Sequence, residues 1–114
     1  MTLVALDEDR AESGVWAVRA DDGRRFAVFA LPDGYRVTDL LCPHQLGPLT
    51  QGEISDGNVL TCAWHHYRYD LDTGDCLTQR GLHLGVYPVV ERDGRLFADV
   101  GEKVDPFAAA RPRP

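Results

Sequence analysis

Two short motifs, Cys42-Pro43-His44 and Cys62-Ala63-Trp64-His65, offer two thiolates and two imidazoles as matched pairs. Both donor types bind iron and zinc, and each motif brings one of each close together, so the two motifs can close on one centre. Structural zinc sites usually use cysteines two to four residues apart, and no two cysteines here are spaced that way. Each motif instead puts its cysteine first and its histidine shortly after. Two such loops can face each other with both cysteines on one side and both histidines on the other. That arrangement suits a two-iron centre with unlike ends, and a single zinc ion is the alternative.

Loops that hold a metal need a frame, and the rest of the chain reads as one made of strands. Turn signals recur at Asp22-Gly23, Asp33-Gly34, Asp56-Gly57, Thr73-Gly74 and Asp93-Gly94, each flanked by short β-prone runs. Val15 to Val18, Phe26 to Phe29, Tyr35 to Val37, Val59 to Thr61, Tyr67 to Leu71, Val86 to Val90 and Leu96 to Val100 are the expected strands. No window of a dozen residues carries a helical stripe. The expected fold is therefore all-β, a meander of antiparallel sheets. The stretch from about residue 40 to 84 holds all three cysteines and all four histidines, as a metal-binding subdomain within the scaffold. A single domain over 1–104 is expected, with 105–114 as a proline-rich tail that Val104 and Phe107 anchor in part.

Composition narrows the function classes. A chain of 114 residues makes one small domain that can bury roughly two-thirds of its unfolded surface without oligomerising. There is no room for a second, catalytic domain, and a monomer is expected. The longest apolar runs, such as Phe26 to Leu31, are far shorter than a membrane span, and the N-terminus lacks a basic region followed by an apolar stretch. A soluble cytoplasmic protein is the expectation. The odd cysteine count leaves no disulfide framework, and a formal charge of −6 argues against a nucleic-acid partner, which needs a clustered basic surface.

The motif pair resembles the Rieske family, whose pattern is Cys-x-His, a spacer, then Cys-x-x-His. Here 17 residues separate His44 from Cys62, about the family's spacing. The likeness continues from the first motif through Gly47-Pro48-Leu49 to Gly52, and from the second through Tyr67, Tyr69-Asp70 and Thr73-Gly74. The resemblance implies a Rieske-like fold in which two loops form a small cluster-binding subdomain. It implies one [2Fe-2S] cluster, with Cys42 and Cys62 on one iron and His44 and His65 on the other. Family potentials run from about −150 to +300 mV. High-potential members carry an extra cysteine in each loop and a serine that hydrogen-bonds a sulfide. Gly47, Trp64 and Tyr67 stand at those positions, so a value in the lower part of the range is expected, although Tyr69 is a tyrosine that high-potential members share.

Other residues of the same types have plainer readings. His66 is expected as a solvent-facing loop residue, His83 as structural or exposed, and Cys76 as a small packing residue outside the ligand set. Leu46 and Trp64 lie inside the motif loops, as shielding for the cluster or as an apolar rim for docking. The resemblance implies a stand-alone ferredoxin that carries single electrons from a ferredoxin reductase to a terminal oxygenase. It is not itself an enzyme, because the chain lacks the further two-histidine-one-carboxylate iron site an oxygenase needs. The alternative is a Rieske-like accessory subunit of a nitrite-reductase-like or other redox complex.

Overall fold

The computed structural model describes residues 2–7, 11–41, 48–63 and 66–101. The expectations for Cys42, His44, Leu46, Gly47, Trp64, His65 and the tail fall outside them. The described residues form ten strands in three antiparallel sheets. One sheet orders β1 (Leu3–Ala5), β10 (Arg95–Asp99) and β9 (Val89–Arg92). The second runs β2 (Val15–Arg19), β3 (Arg25–Leu31), β4 (Gly34–Asp39) and β8 (Val86–Tyr87). The third and smallest holds β5 (Glu53–Ser55), β6 (Val59–Thr61) and β7 (Arg68–Asp70). The all-β antiparallel expectation is met. No helix among the described residues is long and apolar enough to cross a membrane.

β3 explains how the layers stack. Successive side chains on a strand point to opposite faces. Phe26 and Val28 therefore enter a core shared with Val4, Leu6, Trp16, Val18, Ala98 and Val100, while Ala27 and Phe29 enter a second core on the other face. Burial on both faces is why Phe26 to Phe29 reads as a continuous apolar run and not as an alternation. The Trp16 indole N–H is satisfied in the first core by the Leu6 carbonyl at 2.9 Å.

The second core joins the small sheet to the base. Leu40, Leu49, Leu60, Cys62, Tyr69, Leu71 and Leu84 pack with Ala27 and Phe29. Each large side chain fully buried there is worth about 1.5–3 kcal/mol, enough to hold the small sheet as a fixed layer. The chain enters this layer after Asp39 and leaves it at Gly85. The Asp39 amide donates to the Gly85 carbonyl at 3.0 Å, which closes the neck.

The expected run Val86 to Val90 is divided. Val86–Tyr87 pairs with β4 and Val89–Arg92 pairs with β10, with Pro88 between them. Proline has no N–H to continue a ladder, and the chain changes sheet there. The strands at Leu3–Ala5 and Glu53–Ser55 and the short 3-10 turn at Leu49–Gln51 are additions to the expected set.

Candidate metal centre

The first motif loop leaves the base through Leu40 and Leu41 and returns at Pro48. Leu41 and Pro48 form an antiparallel bridge, and the Leu49 amide donates to the Leu40 carbonyl at 2.7 Å. The two ends of the 42–47 segment are thereby clamped side by side. Leu49, fully buried, opens the 3-10 turn, and Gly52 follows it where the chain crosses β6. A Cβ at Gly52 would sit 2.5 Å from the Thr61 carbonyl oxygen and 2.9 Å from Leu60 Cδ1. That close approach is why only glycine fits there.

The second motif loop is the connection between β6 and β7. Thr61 pairs with Arg68, and beyond that pair the Cys62 amide donates to the Tyr67 carbonyl at 2.8 Å. The His66 amide returns to the Cys62 carbonyl at 3.0 Å, with His66 itself in the left-handed region at φ 59°. Cys62 is 1 % exposed, while Ala63 and His66 are exposed. A groove of about 200 Å³ beside this loop is lined by Gln51, Glu53, Thr61, Cys62, Ala63 and His66. It links the residues just after the first loop to the second loop.

Leu40, Leu41 and Leu49 at the base of the first loop share one apolar cluster with Cys62 and Tyr67 at the base of the second. Cys42 is one residue beyond Leu41, and Cys62 one beyond Thr61. The fold thus brings the roots of both motifs to the same end of the small sheet, and a thiol held in apolar surroundings at one root fits a cluster bound between the loops. Among the described residues no group of three or more His, Cys, Asp or Glu side chains converges as metal ligands, and three of the four candidates lie outside those residues.

The remaining donors are accounted for elsewhere. Cys76 is half-buried, bridges to Tyr69, and has its sulfur 3.5 Å from Thr78 Oγ1. The exposed His83 imidazole donates from Nε2 to the Thr73 carbonyl at 2.9 Å, at the end of β7 away from the second motif. His66 faces solvent, as expected. Tyr67 donates its hydroxyl to Gln79 Oε1 at 2.6 Å. Tyr69 is fully buried in the second core.

Two polar contacts brace the neck and the layer above it and have no local sequence signal. Tyr87, half-buried, donates to Asp39 Oδ1 at 2.5 Å. Burial, then the bond to Asp39 and its negative charge, push the Tyr87 phenol well above its ordinary pKa. Arg36 on β4 donates from Nε to Asp72 Oδ1 at 2.6 Å and from Nη2 to Asp33 Oδ2 at 3.0 Å. The hydrogen bond to Asp72 is the main reason the guanidinium is held above its ordinary pKa. The Asp72 carboxyl is held below its own by that bond first and by Asn58 second.

Comparison with known proteins places this geometry. A family model described as the Rieske [2Fe-2S] domain matches residues 3–88. The ferredoxin component of the p-cumate 2,3-dioxygenase system of Pseudomonas putida is 32% identical over 100 residues, 87% of this chain and 84% of that protein. The ferredoxin subunit of methanesulfonate monooxygenase from Methylosulfonomonas methylovora is 30% identical over 96 residues, 84% of this chain and 77% of that one. Among solved structures, a ferredoxin of Sphingomonas yanoikuyae B1 superposes with a TM-score of 0.69 at 26% identity, covering 89% of this chain and 98% of that one.

Proposed function

The chain belongs to the Rieske [2Fe-2S] family, and from that membership we propose that it is a soluble, monomeric ferredoxin passing single electrons from a reductase to a terminal oxygenase. It is an electron-transfer protein, and its cofactor is one Rieske-type [2Fe-2S] cluster. Cys42 and Cys62 hold one iron, and His44 and His65 hold the other. The observation that carries the reading is the pairing of the two motifs on loops whose roots share one apolar cluster. We extend the same proposal to a single domain over 1–104 with a tail at 105–114, and to a cytoplasmic location.

When bound, the cluster supplies one-electron redox chemistry at a potential well above that of [2Fe-2S] centres held by four thiolates. The chain's residues set how that chemistry is used. Two thiolates offset the 2+ charge of an oxidised core, and two neutral imidazoles add no charge, so the site gains one negative charge on reduction. The far ring nitrogens of His44 and His65 are the electron exit. Cys62, buried at the root of its loop, is kept from water. Tyr67, at the position where high-potential members carry a serine, donates its hydroxyl to Gln79 Oε1.

The purified chain should contain about two iron and two acid-labile sulfide, sediment as a monomer, and support turnover of an oxygenase only when a reductase is present. One zinc without sulfide would overturn the cluster assignment. A chain that purifies only as a fixed part of a larger assembly would favour the accessory-subunit alternative.

A further inference from the structure

We propose that Arg36 is a positioning residue for the cluster: through Asp72 and Asn58 it fixes the β6–β7 hairpin along β4, and with it the place of the second ligand loop relative to the first. The inference rests on the assignment of the two ligand loops above. β4 runs directly into the first loop through Leu40 and Leu41. The second loop closes one end of the β6–β7 pair, and the other end is Asn58 with the turn from Asp70 to Gly74. Arg36 grips that far end.

The grip reaches both strands of the hairpin. Asp72 takes Arg36 Nε on one oxygen at 2.6 Å and Asn58 Nδ2 on the other at 2.9 Å. Asn58 also reaches Asp70 Oδ1 at 3.3 Å, which in turn accepts the Asp72 amide at 2.8 Å. Asn58 precedes β6 and Asp70 ends β7, so one guanidinium on the strand that delivers the first loop is joined to both strands that deliver the second. Asp33 and the Tyr35 carbonyl occupy the remaining edge of the guanidinium at 3.0 and 3.2 Å and fix its plane. A planar fork suits such a hold, and an ammonium would keep only the charge.

The distances make this a lever. Asn58 lies four residues from Cys62, roughly 13 Å along an extended strand, so a slip at the gripped end is carried along the hairpin to the thiolate. The neck bonds of Asp39 to Gly85 and Tyr87 fix where the chain enters and leaves the layer. They leave the hairpin's far end to Arg36, to the backbone bond from the Leu84 amide to the Gly74 carbonyl and to packing. The potential and the magnetic anisotropy of an iron–sulfur site depend on the placement of its ligands and their hydrogen bonds. A loosened hairpin therefore shows as a spread of sites.

The test uses holoprotein carrying Arg36→Met, Arg36→Lys or Asp72→Asn. The readouts are the paramagnetic resonance line shape of the reduced state and the rate of iron loss to a chelator. Arg36→Met and Asp72→Asn should broaden the lines and speed iron loss by about threefold, the scale of a partly exposed ion pair. Arg36→Lys should fall between them and the wild type. Added salt should speed iron loss in the wild type and leave Arg36→Met unchanged. Lines and loss rate unchanged in Arg36→Met, even with a lower melting temperature, would make Arg36 a brace with no positioning role and overturn the proposal. If Arg36→Met does not load, the loaded Asp72→Asn protein carries the same two readouts: broadened lines and faster iron loss support the proposal, and wild-type lines and loss rate overturn it. Failure of the wild type itself to hold iron and sulfide would defeat the ligand assignment, a result separate from any of these.

Discussion

Among the described glycines of the cluster-binding layer Gly74 has the closest approach, and replacing it by alanine should be costly for two independent reasons. Its φ is +84°, a left-handed conformation, and an added Cβ would overlap the Leu84 carbonyl oxygen, with Leu84 C at 3.1 Å and His83 Cε1 at 3.2 Å next nearest. The first effect costs about 1–2 kcal/mol. The second can be relieved only by shifting backbone, because the nearest atoms belong to the Leu84 peptide. That shift breaks the 2.7 Å bond from the Leu84 amide to the Gly74 carbonyl and adds about 1–3 kcal/mol of overpacking. Together these give about 2–5 kcal/mol, a large share of the 5–15 kcal/mol typical of a domain. Gly94→Ala is the matched control: its φ is +77° but nothing lies within 4 Å of the added Cβ, so it bears only the conformational part. Thermal unfolding of the loaded proteins, followed by circular dichroism, should drop by more than about 10 °C for Gly74→Ala and by a few degrees for Gly94→Ala. Midpoints for the two variants within about 2 °C of each other would refute the close-approach argument.

The Tyr87 phenol is raised by burial and by Asp39, so it favours the folded state below the ordinary tyrosine pKa of about 10. That contribution is lost as pH rises through the folded-state value. The stability gap between wild type and Tyr87→Phe in urea should therefore shrink from pH 9 towards pH 11, and a gap that widens would contradict the assignment. Cys76→Ser should keep its cluster and its visible spectrum, because Cys76 packs against Tyr69 and Thr78, and loss of iron on that change would show the ligand set to be wrong. A redox titration should give a potential below about 0 mV, and His44→Cys or His65→Cys, where a cluster assembles, should lower it further as a charged thiolate replaces a neutral donor. A wild-type value well above that mark would contradict the reading of Tyr67.

The frame was legible where apolar runs met Asp-Gly turns. Asp93 and Gly94 both have positive φ, 53° and 77°, as a two-residue hairpin connection requires, and the β9–β10 pairing follows directly. Leu3–Ala5 and Glu53–Ser55 escaped because three residues carry too little pattern. Glu53-Ile54-Ser55 has one apolar side chain and becomes a strand through its pairing with β6. Pro88 could have flagged the break in the run from Val86 to Val90, since its missing N–H forbids a continuous ladder. Of the site, the ligand types and their spacing were plain in the sequence, and so was the solvent-facing placement of His66. The supports were not. Arg36 meets Asp72 across 36 positions and Tyr87 meets Asp39 across 48, and neither pair leaves a local trace. Only the folded arrangement of β4 brings them together.

Nitrogen hyperfine couplings in the reduced protein, measured by electron–nuclear double resonance, test the ligand assignment most directly. Two strongly coupled nitrogens are predicted, with one lost in His44→Cys, the other in His65→Cys, and both retained in His66→Ala and His83→Ala. Loss of a coupling in His66→Ala or His83→Ala, or its survival in both cysteine variants, would contradict the account.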